Sequence, residues 1–136
     1  MVQQIDFVVW TGDSARHDND ANIPRSATQI YDINRQVVEK MREVFGNPTN
    51  DPKGPFTVPI VPTLGNNDIF PHNIMIAGPS DVTRKYETIW DDFVPYSQYH
   101  VFRKGAYFWR QVVPGKNGIS GPGSVGGLAV FSLNTL

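Results

Sequence analysis

One short stretch of the sequence concentrates residues that could bind a cation. Residues 11–20 (TGDSARHDND) follow an apolar run, and four of them are Asp or Asn: Asp13, Asp18, Asn19 and Asp20. His17 lies among them. Carboxylate and amide oxygens are hard ligands that suit divalent cations such as Mn, Mg, Fe or Zn. A Gly-Asp pair after a strand is more often a turn when it occurs alone, so a second polar group is needed before a metal site is predicted.

That second group is residues 65–68 (GNND), which follow another apolar run and precede His72. Each group alone has a structural explanation, because Asn and Asp side chains in loops often bind their own backbone. The metal interpretation depends on whether the fold brings Asp13 and Asn66 together across 53 positions of sequence.

The elements between the two groups predict that it does. Residues 5–10 (IDFVVW) have a leading acid, Asp6, and then an unbroken apolar run, typical of a strand buried on both faces of a parallel sheet. Residues 26–46 have apolar residues at helical spacing, with a capping box at Ser26 and Gln29 and a suitable end at Gly46. Residues 56–65 (FTVPIVPTLG) form the next strand. This order predicts a right-handed βαβ unit with parallel strands, whose carboxyl ends meet at one sheet edge.

The rest of the chain extends the unit. We expect a helix at 80–93, a hairpin at 101–113 that turns near Lys104 and Gly105, and a strand at 128–133. The fold class is therefore α/β: a βαβ unit with parallel strands, followed by a helix and a hairpin of a mixed sheet. Glycines in the loop 114–127 fit G-x-G-x-x-G, but a dinucleotide site requires a helix after the glycines, and a strand is expected there instead.

Composition narrows the function classes. With 136 residues, 40% apolar and 18% charged, the chain is one globular domain or part of one. It contains no cysteine, which excludes disulfides, thiolate zinc sites and cysteine nucleophiles. No apolar stretch approaches ~18 residues, so we expect no membrane segment in this chain, and we expect no nucleic-acid partner.

Charge is unevenly divided along the chain. Residues 1–83 carry 6 basic and 10 acidic side chains, whereas residues 84–136 carry 6 basic and 3 acidic. The first part favours cations and the second could meet an anion; the alternative is a solvated surface with chance asymmetry.

The motifs resemble those of a known family. GDSARHD and GNND, separated by one helix, are similar to two central motifs of the calcineurin-like metallophosphoesterases. The spacing is closer to the acid-sphingomyelinase-like branch, in which GD-x-x-x-HD is followed by GN-x-[DE]. Within that branch, residues 6–20, 61–73, 86–93, 105–115 and 128–136 look most similar to the endopolyphosphatases of fungi. The resemblance implies two divalent metal ions, hydrolysis of inorganic polyphosphate by a metal-activated water, and a vacuolar location.

The resemblance also implies roles for matching residues. Asp13 matches the aspartate that bridges two metals, and Asn66 matches the asparagine that ligates one of them. His17 matches a catalytic histidine that assists at the leaving group.

Three further residues are assigned to the substrate. Asn67 departs from the family at large, in which a histidine that touches the phosphate follows the asparagine. Arg16 and His72 complete the predicted substrate contacts, and proximity makes His72 the alternative to His17 as general acid.

Other expected motifs are missing from the sequence. The family has an Asp-x-His motif before this region and a Gly-His-x-His motif after it, and neither occurs here. Two matched ligands cannot saturate two metals, so we interpret residues 1–136 as a fragment of a single calcineurin-like phosphoesterase domain, inactive in isolation. The alternatives are a sphingomyelinase-like phosphodiesterase and a non-catalytic remnant that binds polyanions.

Overall fold

A short strand, a long helix and a second short strand open the fold. The computed structural model describes residues 5–19, 21–46, 56–116 and 125–136. Its elements are β1 (Val8–Trp10), α1 (Ala27–Phe45), β2 (Ile60–Pro62), a 3₁₀ turn (Asn66–Asp68), α2 (Asp81–Ile89), a second 3₁₀ turn (Tyr96–Gln98), α3 (Tyr99–Gly105), β3 (Phe108–Val113) and β4 (Leu128–Ser132). The α/β class predicted from the sequence is confirmed.

The two opening strands pair in parallel, as predicted. Val8 lies opposite Ile60 and Trp10 opposite Pro62, so both strands end at the same edge of the sheet. β2 is fully buried, but β1 is not, since Val9 is 52% exposed. The prediction that β1 is buried on both faces is wrong because only the side that carries Val8 and Trp10 packs against the core. Both strands are also shorter than predicted.

Helix α1 begins and ends where its sequence signals predicted. Ser26 is the N-cap, and its hydroxyl accepts from the Gln29 N–H while the Gln29 side chain accepts from the Ser26 N–H. Gly46 is the C-cap and donates to the Arg42 carbonyl. The buried side chains of the helix include Ile30 and the polar Asn34. Val44 is one of the apolar residues at helical spacing in 26–46, but it is 65% exposed.

Aromatic side chains from three elements fill the core. Trp90, at the end of α2, contacts Trp10 of β1 at 5.5 Å between ring centroids and Phe102 of α3 at 6.1 Å. Tyr86 packs on Trp90 at 4.7 Å, and each of these rings except Trp10 is fully buried. Helix α2 ends at Ile89, four residues earlier than predicted, although Trp90 and Phe93 are buried as expected.

The predicted hairpin at 101–113 is wrong. Residues 99–105 form helix α3, which ends at Ala106 in a left-handed conformation, and β3 begins only at Phe108. Phe102 explains the difference: it is fully buried between Trp90 and Phe108, and a helical turn directs it into the core. The strand partner of β3 is β4, in antiparallel register from Phe108 opposite Ser132.

Side chains connect the two strand pairs. The Ser132 hydroxyl of β4 donates to the Pro62 carbonyl of β2 at 2.7 Å and lies 2.6 Å from the Thr63 hydroxyl. Residues 117–124, within the glycine-rich loop, lie outside the described part of the chain. Among the described residues, no helix has the length and apolarity needed to span a bilayer.

Candidate metal centre

Two glycines allow the loops after β1 and β2 to touch. Gly12 has φ of 77°, and a Cβ there would lie 2.4 Å from both the Gly65 nitrogen and the Thr63 carbonyl oxygen. A Cβ on Gly65 would lie 2.2 Å from Oδ1 of Asp13. Because any side chain would collide at either position, the close approach of Asp13 to the second loop requires both glycines.

The buried carboxylate of Asp68 fastens the two loops together. It is fully buried. Its Oδ2 accepts from the Asp13 N–H at 2.6 Å and the Gly65 N–H at 3.0 Å, and its Oδ1 accepts from the Ser14 N–H at 3.0 Å and Asn34 Nδ2 at 3.1 Å. Hydrogen bonds to an ionised group contribute about 1.5–3 kcal/mol each. Asp68 is therefore a structural carboxylate whose bonds set the position of Asp13.

Tyr86 holds the backbone of the same residue. Its hydroxyl donates to the Asp68 carbonyl at 2.5 Å. Burial, with the neighbouring Asp68 charge as a second cause, raises the pKa of Tyr86 well above its ordinary value. The hydroxyl is a donor at neutral pH and remains one into the alkaline range, and its bond ties the core of the protein to the second loop.

The Asp13 side chain lies over the GNND loop. Asp13 has φ of 55°, a left-handed conformation that non-glycine residues seldom adopt and that often occurs at functional sites. Its Oδ1 accepts from the Asn67 N–H at 2.9 Å and from Asn67 Nδ2 at 3.3 Å. Asp13 and Asn66 come together as the sequence predicts, because the Asn66 amide lies 3.2 and 3.3 Å from the two carboxylate oxygens.

The Asn66 amide can be oriented in two ways. With Oδ1 toward Asp13, its Nδ2 donates to Asn73 Oδ1 at 2.7 Å, but three oxygens then face one another. With the amide swapped, Nδ2 donates to Asp13, and Oδ1 lies 2.7 Å from Asn73, whose amide must turn as well to donate to it. The first orientation is the one that a cation favours, since oxygens crowd together around a positive charge. The swapped orientation satisfies the carboxylate without one.

A second cluster contains the two predicted histidines. His72 Nδ1 lies 3.1 Å from Asp18 Oδ1, and His17 Nδ1 lies 3.8 Å from the same oxygen. The two imidazole rings are 5.2 Å apart between centroids. Asn73 Nδ2 lies 2.7 Å from His72 Nε2, so Asn73 links this cluster to Asn66.

Two arginines support the first loop. Arg25 is buried, and its Nη1 donates to the Arg16 carbonyl at 2.9 Å and the Asn67 carbonyl at 2.7 Å, which joins the two loops a second time. Arg16 is exposed, and its guanidinium donates to the carbonyls of Ile23 and His17. Arg16 is therefore held beside His17, whereas Asn67 is turned toward Asp13.

Other basic side chains expected to be available to an anion have structural partners. Arg103 makes two hydrogen bonds to Glu87, at 2.5 and 2.7 Å. Arg110 donates to the carbonyls of Asp92 and Phe93, and burial lowers its pKa. Neither arginine contacts the two loops through these bonds.

The sequence reasoning missed several residues of this site. No role was assigned to Asp68, Asn34, Arg25 or Asn73. The signal for Asn34 was present, because a polar residue sits one turn after Ile30 on the buried face of a helix. The signal for Asp68 was its position as the acidic residue of the GN-x-[DE] motif. Arg25 and Asn73 carried no comparable signal.

The donors near Asp13 fit a divalent cation. They are oxygens from a carboxylate and an amide, and Asn67 Oδ1 is buried without a hydrogen-bond partner among the described residues. Hard oxygen donors of this kind suit Mg²⁺ or Mn²⁺.

Comparison with known proteins gives relatives over almost the whole chain. It is 46% identical over 133 residues to an endopolyphosphatase of Candida glabrata and 47% identical over 135 residues to one of Debaryomyces hansenii. It is also 46% identical over 133 residues to an endopolyphosphatase of Saccharomyces cerevisiae. Each alignment covers 98% of this chain but only 17–18% of the relative. No protein-family model matches the chain.

This homology confirms the resemblance to metallophosphoesterases, the family that includes the endopolyphosphatases. The chain is homologous to one segment of these enzymes. In this chain the segment contains the carboxyl ends of β1 and β2 and the loops that follow them. More narrowly, its relatives are endopolyphosphatases, and the chain spans less than a fifth of their length.

Proposed function

We propose that this chain contributes Asp13 and Asn66 to a divalent metal centre of an endopolyphosphatase-type hydrolase. The observation that carries the proposal is the meeting of these two side chains across Gly65, each delivered by the carboxyl end of a parallel strand. The named activity of the relatives supports polyphosphate as the substrate. The vacuole as location rests on the resemblance alone.

Bound divalent ions would lower the pKa of a water and neutralise charge on the phosphate oxygens. The protein's part is to hold the ligands. Asp68 and Asn67 fix the loop and carboxylate of Asp13, and Asn73 orients the amide of Asn66. We assign the bridging position to Asp13 and a single metal to Asn66, with two ions in the complete site.

The proton for the departing phosphate oxygen would come from a histidine. An imidazole suits general-acid catalysis because its ordinary pKa lies near neutrality. We assign this role to His17, because its side chain is 52% exposed and therefore accessible to a substrate. His72, oriented by Asp18 and Asn73, and exposed Arg16 would contact phosphate oxygens.

The ligand set of this chain is too small for the full reaction. Two cations need about four to six donors each, and Asp13 and Asn66 supply only a part. We therefore expect residues 1–136 to bind metal weakly and to lack polyphosphate hydrolysis, and we expect the longer protein that carries this segment to be active.

The test compares the two proteins on the same substrates. Long-chain polyphosphate is incubated with each in the presence of Mn²⁺ or Mg²⁺, and chain length is followed on gels. The proposal expects chains of intermediate length from the longer protein and none from residues 1–136. A longer protein that cleaves a choline phosphodiester but not polyphosphate would support the sphingomyelinase-like alternative. One that binds polyphosphate without cleaving either substrate would support a polyanion-binding remnant.

A further inference from the structure

His17, Asp18 and His72 converge outside the Asp13–Asn66 pair. One ligand atom from each of the three lies within 4.8 Å of the other two. His72 Nδ1 lies 3.1 Å from Asp18 Oδ1, and His17 Nδ1 lies 3.8 Å from the same oxygen.

These separations are close to those of a tetrahedral metal site. Zinc bonds of 2.0–2.2 Å to imidazole and carboxylate place neighbouring ligand atoms about 3.3 Å apart. The three side chains are 52%, 33% and 26% exposed, so their rings and carboxylate can rotate by the small amount required. The same exposure leaves a path for a hydrated cation to enter and a coordination position for water.

Neighbouring groups leave the inner faces of the three ligands available. Arg25 Nη2 lies 3.8 Å from Asp18 Oδ2, so the buried guanidinium faces that oxygen, while Asp18 Oδ1 faces the histidines. The Asn73 amide contacts His72 Nε2 at 2.7 Å, so Nδ1 is the nitrogen turned toward Asp18. With the Asn73 amide turned so that its oxygen accepts from Nε2–H, the Nδ1 lone pair is available to a cation, and such a partner on the other nitrogen orients a metal-bound histidine.

We propose that His17, Asp18 and His72 bind a transition-metal dication, with Zn²⁺ the best fit and Co²⁺ its spectroscopic substitute. Two imidazoles and one carboxylate select such ions over Mg²⁺ or Ca²⁺, which prefer oxygen alone. This site is additional to the oxygen-lined one at Asp13 and Asn66, and its metal binding does not rest on the proposed hydrolase activity.

Occupation has a chemical consequence for the neighbouring centre. With a cation on Nδ1, the His17 ring cannot become an imidazolium, and its remaining Nε2–H is only a weak acid. A cation held here would therefore withdraw His17 from the role of general acid.

The test separates the two sites by mutation. Zn²⁺ is titrated calorimetrically into the full chain carrying Asp13→Asn, which weakens the oxygen-lined site. We expect one equivalent of Zn²⁺ to bind to this variant at the histidine cluster. Adding either His72→Gln or Asp18→Asn to the variant should reduce the affinity for Zn²⁺ at least tenfold. His100→Ala is the matched control, because this histidine lies exposed on α3, and it should leave the affinity unchanged. Circular dichroism verifies that each variant is folded.

A second measurement identifies the ligands directly. Imidazole nitrogen chemical shifts of His17 and His72 should change on addition of Zn²⁺, while those of His100 should not. Loss of all Zn²⁺ binding in Asp13→Asn alone would overturn the proposal, as would binding that persists unchanged when His17, Asp18 and His72 are all substituted. Absence of binding to the unmutated chain would overturn it too.

Discussion

Asp68 is the residue on which the geometry of the site depends. Replacing Asp68 by Asn keeps the shape of the side chain but removes its charge. One carboxylate oxygen becomes an amide NH₂ group, a donor that then faces backbone N–H groups. We expect Asp68→Asn to lower the free energy of unfolding by about 2–4 kcal/mol, because buried donors lose their partner. Urea denaturation measures the loss.

Asp91→Asn is the matched control for this prediction. Asp91 is exposed, so its substitution should change the free energy of unfolding by less than about 0.5 kcal/mol. Equal effects of the two substitutions would show that Asp68 does not have the structural role assigned to it.

The metal ligands and the general acid can be told apart in the longer protein. Asp13→Ala should lose both metal and activity, since a bridging carboxylate serves two cations. Asn66→Ala should weaken one metal and reduce turnover. Assayed with Mn²⁺ and without Zn²⁺, His17→Ala should keep the ions held through Asp13 and Asn66 yet slow turnover by roughly 10²–10⁴-fold, because at that centre only a proton donor is removed. Elemental analysis beside polyphosphate turnover measures all three.

His72→Ala decides the choice of general acid in the same assay. It should reduce turnover less than His17→Ala does. If His72→Ala is inactive with metal intact while His17→Ala turns over normally, the acid is His72.

At the scale of elements, α1 places Asn34 against Asp68 and depends on its N-terminal cap. Ser26→Ala removes the side-chain half of the capping box and should lower the free energy of unfolding by about 1 kcal/mol. Ser26→Asp should retain stability, because a carboxylate also caps and complements the helix dipole. Thermal denaturation followed by circular dichroism compares the two variants. A Ser26→Asp loss equal to that of Ser26→Ala would contradict the capping role.

Elements with local signals were predictable from the sequence, whereas those that depend on tertiary contacts were not. The cap residues and apolar period of α1 fixed its bounds closely, and the parallel pairing of β1 with β2 followed from their order. The prediction for residues 101–113 was wrong because Val and aromatic residues on both sides of Lys104 and Gly105 suit a hairpin. Burial of Phe102 against Trp90 instead accompanies a helix at 99–105.

The same distinction holds within the site. Asp13 and Asn66 were predictable because both follow strands that end at one edge. The long-range bonds of Asp68 to the β1 loop and of Arg25 to Asn67 were not, since each joins segments more than 40 positions apart. The proximity of His17 to His72 likewise depends on the path of two loops.

At the scale of the whole molecule, the buried Tyr86 makes stability sensitive to alkaline pH. Its pKa is raised by burial in the folded protein, and it is about 10 in the unfolded chain. The folded state therefore keeps a proton that the unfolded state releases. Its stabilising contribution is complete below pH 10 and declines as pH rises further, at up to about 1.4 kcal/mol per pH unit.

Urea denaturation at pH 8 to 11 measures this decline, and Tyr86→Phe is the control. The variant should lose about 1 kcal/mol at pH 8, where the hydrogen bond to the Asp68 carbonyl is missing, but its stability should fall less steeply above pH 10. Identical slopes for the two proteins would assign the alkaline loss to other groups, such as Tyr31, whose pKa burial also raises.

The single carboxylate that collects the N–H groups of Asp13, Ser14 and Gly65 has a consequence for motion. These amides cannot become accessible to solvent one at a time, because whatever displaces Asp68 releases all of them together. Their hydrogen–deuterium exchange should therefore give one common free energy of opening, although they belong to two loops more than 50 residues apart. Since Tyr86 anchors the same residue from the core, that free energy should match the high value of α2 rather than the low value usual for surface loops.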